Sequence, residues 1–255
     1  MQITFLGTGT SNGIPMLACD CPVCLSENPK NKRLRSSVIL QKNSKNLLID
    51  ASIDFRQQGL KYNIRDLEAI LITHIHADHI FGLDEMRRYN QAACKRLKVF
   101  LSREVDQEIR EVMRYLYNPP KQLGGGISLL DNQILEPLQQ LNISDFQITA
   151  LPLKHGQLDI FGYRVDEFAY LTDCSYIPPE TFTALQGVKI VVLDALRDTP
   201  HPTHFSLEQA VEAAQKIGAQ QTYFTHIAHN LEHELTNQKL PAGMQLAYDG
   251  LVQQC

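Results

Sequence analysis

No apolar stretch in this 255-residue chain approaches the roughly 20 residues that a bilayer-spanning helix needs, which excludes a helical membrane segment. A charged stretch leading into an apolar signal core is also lacking. The chain opens on a strand-like run, Ile3-Thr4-Phe5-Leu6, so the expected location is cytoplasmic. Basic charge is in short supply: 24 Lys and Arg against 28 Asp and Glu leave a net charge of −4. Covering a phosphate backbone takes a clustered cationic excess, so a broad nucleic-acid surface and a nucleic-acid partner are argued against. Disorder is excluded by 44% apolar and 20% charged residues, which is ordinary globular composition. In a reducing compartment the six cysteines read as thiols or ligands before disulfides. What is left is a chain long enough for one large α/β domain or two small ones.

Strand signals recur at 2–6, 36–41, 46–50, 69–72, 97–101, 146–150, 160–164, 168–172, 188–193, 220–225 and 245–253. Helical periodicity appears at 53–61, 79–90, 102–117, 178–185 and 206–217. The 36–50 pair reads as a hairpin turning at Lys42 to Lys45. Ser206 followed by Gln209 is a capping-box pattern that starts a helix running to about Lys216, and Gly218 suits its stop. The segment 117–137 holds Pro119, Pro120, Gly124, Gly125, Gly126 and Pro137, and reads either as a mobile loop insertion or as plain surface loop. Periodicity alone supports a mixed α/β or α+β fold.

The run Thr73-His74-Ile75-His76-Ala77-Asp78-His79 follows the apolar stretch Leu67 to Ile72. In extended backbone, residues two apart point the same way, so His74 and His76 can grip one ion together. Asp78 and His79 fall where the chain turns into a helix and can face a second ion beside the first. Two adjacent metals are a device for activating water. Three further candidates lie at predicted strand ends: His155 before Gly156, Asp173 in Tyr-Leu-Thr-Asp-Cys, and His226 after Thr222 to Thr225. Asp50, ending the strand Leu47 to Ile49, reads equally as a carboxylate orienting the His74 loop or as a turn residue. Cys174 adjoins Asp173 but points the other way in extended backbone, and stays out of the metal shell.

The His-x-His-x-Asp-His string resembles the signature of the metallo-β-lactamase superfamily, and His155, Asp173 and His226 follow in the order of that pattern. The resemblance implies an αββα sandwich over 1–255 as a single hydrolase domain. It also implies that His74, His76 and His155 hold one divalent ion, that Asp78, His79 and His226 hold another, and that Asp173 bridges both. Imidazole and carboxylate donors without thiolate suit zinc, manganese or iron.

Cys19-Asp20-Cys21-Pro22-Val23-Cys24 places three thiols in six residues, too close for unstrained disulfides. As thiolates they suit zinc, which takes four tetrahedral ligands. The best fourth candidate is His229, with His233 as the fallback. Four protein ligands leave no position for substrate, so one structural zinc in the 19–24 loop is expected. Within the superfamily, a Cys-x-Cys-x-x-Cys loop after Phe5-Leu-Gly-Thr-Gly-Thr-Ser11 resembles the PhnP-type phosphodiesterases, which hydrolyse phosphoribosyl cyclic phosphate. A quinone-cofactor biosynthesis family shares a similar cluster.

That resemblance implies hydrolysis of a small phosphorylated substrate, a five-membered cyclic phosphodiester, by a metal-bridging hydroxide, and by analogy a homodimer. A catalytic histidine is implied near His201-Pro202-Thr203-His204. His204 is assigned as the general acid, alongside Asp78 in the catalytic set, and His201 is its rival. Arg33, Arg35, Arg87, Arg88 and Arg197 could meet phosphate, though each reads first as a solvated surface charge. Transfer-RNA 3′-processing nucleases share the metal residues but add a long basic arm, whereas 117–137 is short and carries one lysine, Lys121, and no arginine. An acyl-ester, lactone or thioester hydrolase would use the same metals without needing His204. A non-catalytic role would tolerate a broken ligand set, and here every ligand is retained.

Overall fold

Alternating apolar residues along the strands put one set of side chains between two sheets and the other set beneath flanking helices. The computed structural model describes residues 1–119 and 126–255. Its strands are β1 (Gln2–Gly7), β2 (Ser37–Lys42), β3 (Lys45–Ile49), β4 (Ala69–Leu71), β5 (Leu97–Leu101), β6 (Leu130–Ile134) and β7 (Gln140–Ile143). They continue as β8 (Phe146–His155), β9 (Leu158–Val165), β10 (Phe168–Leu171), β11 (Ile190–Asp194), β12 (Gln221–Thr225), β13 (Met244–Leu246) and β14 (Val252–Gln254). One sheet runs β14-β1-β2-β3-β4-β5-β6 and the other β13-β12-β11-β10-β9-β8-β7.

On β2 and β3, Val38, Leu40, Leu47 and Ile49 face the second sheet, where they meet side chains such as Ile148, Tyr163, Tyr170 and Val192. Their neighbours Ile39 and Leu48 face outward under Phe55, Ile80, Leu83 and Met86. In the second sheet Val191, Leu193 and Phe224 likewise face outward, under Ala210, Ala213 and Ala214 of the helix Leu207–Ile217. Sheets covered on both faces need apolar residues at nearly every strand position, which is why these strands read as continuous runs. The architecture is therefore the αββα sandwich. Ser206 caps the helix Leu207–Ile217 with both capping-box bonds, and Gly218 ends it at φ 71°.

Some elements depart from the sequence reading. The segment 117–137 contains β6, an edge strand whose Asp131, Asn132 and Gln133 give it no apolar signature. Pro120, Lys121, Gly124 and Gly125 lie outside the described residues. The strand expected at 245–253 is two short strands in different sheets: β13 pairs β12 and β14 pairs β1. Gly250, at φ 97°, sits in the crossing between them, a backbone conformation side chains disfavour. The helix expected at 79–90 is a turn of α-helix at Ala77–Ile80, a 3₁₀ stretch at Phe81–Met86 and a helix at Arg87–Ala93. Gly82 lies in the 3₁₀ stretch, packed so closely that a Cβ there would lie 2.2 Å from the Ser52 carbonyl oxygen. The expected 102–117 helix is interrupted at Met113.

Candidate metal centre and active site

The parallel strands end on one edge of the sandwich, and the candidate residues stand just beyond those ends. Asp50 follows β3, His74 lies three residues after β4, and His155 ends β8. Asp173 comes two residues after β10, Asp194 ends β11, and His226 follows β12. Three of these, Asp50, Asp173 and His226, adopt left-handed backbone at φ 61°, 55° and 57°. For non-glycine residues such strain costs about 1–3 kcal/mol, and it recurs at functional sites.

Two ligand-capable sets result, one of His74, His76, His155 and Asp173, the other of Asp78, His79, Asp173 and His226. Within each set one donor atom per residue lies within 4.8 Å of the rest, and Asp173 belongs to both. His74 Nε2 and His76 Nδ1 are 3.0 Å apart, near the ~3.3 Å separation of two nitrogens on one tetrahedral ion. All are buried except His76, which is exposed.

Hydrogen bonds fix the ring tautomers. His79 Nδ1–H donates to Asp50 Oδ2 at 2.7 Å, and Thr73 donates its N–H to Asp50 Oδ1 at 2.9 Å and its hydroxyl to Asp50 Oδ2 at 2.9 Å. The Thr73 hydroxyl oxygen, 3.0 Å from His74 Nδ1, accepts in turn from that ring. His155 Nδ1–H donates to the Thr203 carbonyl at 2.8 Å. In His74, His79 and His155 the other nitrogen, Nε2, is thereby left as a bare lone pair facing the centre. His79 Nε2 is buried with no hydrogen-bond partner, although Asp78 Oδ2 and Asp173 Oδ1 lie 3.2 and 3.3 Å away. Lone pairs and carboxylates converging without protons between them fit a cation.

The electrostatics show a surplus of negative charge that calls for a cation: Asp173, Asp78 and Asp50 outweigh burial and push the His79 imidazole well above its ordinary range, so without an ion a proton would fill that demand. Burial alone would raise the carboxyl of Asp173, but His226 and His79 outweigh it and hold it well below its ordinary range. Burial pushes His155 down to about 4, keeping it neutral and able to ligate at pH 7.

His204 is buried beside the centre, with its ring stacked on His226 at 4.8 Å and edge-on to His155 at 4.6 Å. Its Nδ1–H donates to Asp194 Oδ2 at 2.9 Å. Asp194 also accepts from the Phe205 N–H at 3.2 Å. The sequence reading missed Asp194, although an apolar run closing on an acid, Val188 to Leu193 then Asp194, is the same signal that picked out Asp173. The rival His201 is less buried, and its Nδ1 faces Thr203 rather than a carboxylate.

The cysteine loop forms a separate cluster. His229 Nδ1 lies 3.2, 3.4 and 3.6 Å from the sulfurs of Cys19, Cys21 and Cys24. A tetrahedral zinc with ordinary Zn–S and Zn–N lengths spaces sulfur and nitrogen by about 3.5 Å. The Cys24 N–H, donating to the Cys21 sulfur at 3.4 Å, leads in lowering that thiol to about 6, while burial pushes Cys24 up to about 11. The fallback ligand His233 is elsewhere: its Nδ1 accepts from the Arg33 guanidinium at 3.1 Å. Arg33 is no surface charge but is buried, and it also donates to the Thr8 hydroxyl at 2.7 Å. Arg35 pairs with Asp54, and Arg87 and Arg88 bond locally to Gly126 and Gln91. Of the five arginines, Arg197 alone lines the cleft beside His204.

A model of the Beta-lactamase superfamily domain matches residues 45–227. The structure is similar to that of a diphosphatase from the PhnP family, with a TM-score of 0.92 and 40% identity over 99% of this chain and 96% of that one. A Porphyromonas gingivalis protein named octanoyltransferase is 35% identical over 98% of this chain and 51% of its own length. A ribonuclease Z from Picosynechococcus is 30% identical over 66% of this chain and 47% of its own length. The chain thus spans about half the length of these curated relatives.

Proposed function

We propose that this chain, which belongs to the metallo-β-lactamase superfamily and is related to the PhnP family, is a metal-dependent hydrolase that acts on a small cyclic phosphodiester of the phosphoribosyl cyclic phosphate kind. The observation that carries this reading is His204, held by Asp194 beside both ligand sets. Two divalent ions, zinc or manganese, suit the two sets, and a third ion, zinc, suits the thiolates. Bound there, such ions lower the pKa of coordinated water to about 7 and neutralise phosphoryl charge.

The protein's own residues supply the remainder. Asp50 orients His79 directly and His74 through Thr73. Thr203 fixes His155. Asp194 orients the His204 ring through its Nδ1–H, and burial lowers the His204 pKa, which favours release of a proton; Nε2–H would pass that proton to the alkoxide released as the phosphate ring opens. Asp78 acts as a ligand rather than in proton transfer, since its carboxyl faces His79 and His226. A small phosphorylated substrate in a reducing cytoplasm is the setting these groups fit.

A diphosphate ester is the second reading, favoured by the relative at 40% identity being a diphosphatase. The test is a count of ions per chain, followed by assays of a ribose cyclic phosphate, a diphosphate ester, a transfer-RNA precursor and a lactone. Turnover of the cyclic phosphate carries the proposal. Turnover of the lactone or the RNA without it refutes the proposal.

A further inference from the structure

The second sheet sets two imidazole rings against one carboxylate. Parallel pairing of β11 and β12 puts Asp194 opposite Thr225, so Asp194 and the next residue along, His226, emerge side by side at the strand ends. The loop beyond β11 brings back His204, whose ring lies nearly parallel to that of His226, with 11° between their planes. Both rings turn Nδ1 toward Asp194: His204 Nδ1 is 2.9 Å from Oδ2, and His226 Nδ1 is 3.8 Å from Oδ1. All three residues are buried.

Among the buried candidate ligand rings, His226 is the one whose Nδ1 has no partner within hydrogen-bond distance. Thr73, Asp50 and Thr203 serve His74, His79 and His155 in that respect. Asp194 Oδ1 is likewise buried without a partner, so two orphaned polar atoms face each other. Buried polar groups left unpaired are costly, and each of these can supply what the other lacks: the ring an N–H, the carboxylate a lone pair. Burial raises the Asp194 carboxyl well above its ordinary range, and His226 is the leading influence against it. The charged carboxylate therefore depends on a donor at Oδ1.

We propose that Asp194 is a positioning residue shared between the second ligand set and His204. Its Oδ1 accepts from His226 Nδ1–H, which leaves His226 Nε2 a bare lone pair for an ion, while its Oδ2 holds the His204 ring. This role rests on the metal-dependent reading above and is independent of the substrate's identity. A residue that only aimed His204 would leave metal affinity alone; a shared one does not.

Asp194→Asn separates the two roles. Its oxygen stays at the Oδ2 position, where His204 Nδ1–H and the Phe205 N–H both donate, and its NH₂ meets His226 Nδ1. His226 must then carry its proton on Nε2, the atom 3.1 Å from Asp173 Oδ2, and cannot ligate. Manganese titration of chelator-treated protein should show one native site and one weakened about 10- to 100-fold. Combined with Asp50→Asn, the variant should still leave one native site, because both substitutions act on the same ligand set. His204→Ala should leave two. In zinc-loaded wild type, His226 Nδ1–H should appear in long-range proton–nitrogen spectra as a slowly exchanging proton, a signature that requires no variant to fold. Two native sites in Asp194→Asn, equal weakening of both, no native site in the double variant, a weakened site in His204→Ala, or a rapidly exchanging Nδ1–H overturns the shared role. So does a third active-site manganese in wild type, which would be held by Asp194, His204 and His226 themselves. A wild type that binds no manganese overturns the metal-dependent reading itself, so the two failures are distinguishable.

Discussion

Asp50→Asn is the sharpest test of the metal centre, because it changes hydrogen-bond polarity while conserving shape. Asp50 is fully buried and acts only as an acceptor, from the Thr73 N–H, the Thr73 hydroxyl and His79 Nδ1–H. Asparagine keeps one oxygen and presents an NH₂ on the other side. The orientation that preserves most bonds turns the oxygen to Thr73 and the NH₂ to His79. His79 must then accept at Nδ1 and carry its proton on Nε2, the atom that faces Asp78 and Asp173. A protonated Nε2 cannot ligate. Loss of such a supporting partner costs about 10- to 100-fold in metal affinity, or ~1.4–2.7 kcal/mol. His74 keeps its route through Thr73 to the oxygen of the new amide, so the set with His74, His76 and His155 should hold its ion unchanged. Titration of chelator-treated protein with manganese, which avoids the thiolates, should show one native site and one weakened site. Two native affinities, or equal weakening of both, would refute the tautomer argument.

His204→Ala should retain both active-site ions yet lose about 10²–10⁴-fold in turnover of the cyclic phosphate, the usual worth of a general acid. Undiminished turnover at full metal content removes His204 from the reaction. Cys24→Ser should lower the zinc count by one per chain and lower the melting temperature, because the sulfur sits within the cluster of Ile14 and Val23; an unchanged zinc count refutes the thiolate site. His233 gives a pH signature away from both centres. Burial, with Arg33 beside it, depresses its pKa from 6.5 to about 4 in the folded protein. A depressed base stabilises the fold fully above pH 6.5 and loses that contribution as pH falls from 6.5 toward 4. Protonation costs about 3 kcal/mol in full, of which about 2 kcal/mol is gone by pH 5. Asparagine can accept from Arg33 without titrating, so His233→Asn should show a flatter fall in urea stability between pH 7.5 and 5 by about that amount. Parallel curves for the two proteins would contradict it.

What was legible in the sequence was whatever one strand or one turn encodes by itself. A strand buried on both faces writes its apolar run into consecutive residues, and a ligand beyond its end follows in register, so His74, His155, Asp173 and His226 could each be located singly. The capping box of Ser206 and Gln209 is equally local. Features that depend on two distant segments meeting were not legible. β6 is strand because β5 and the sheet edge supply its hydrogen bonds, and its polar residues give no period of their own. Arg33 resembled any surface arginine until Thr8, His233 and Ala247 closed around it. The left-handed backbone at Asp50, Asp173 and His226 left no residue signature, because glycine at those positions would relieve the strain while deleting the ligand. Side-chain chemistry and backbone preference conflict at all three, and the chemistry has prevailed. Conflicts of that kind are tolerated where surrounding structure overdetermines the conformation, and these three lie at the edge where both ligand sets and His204 also meet.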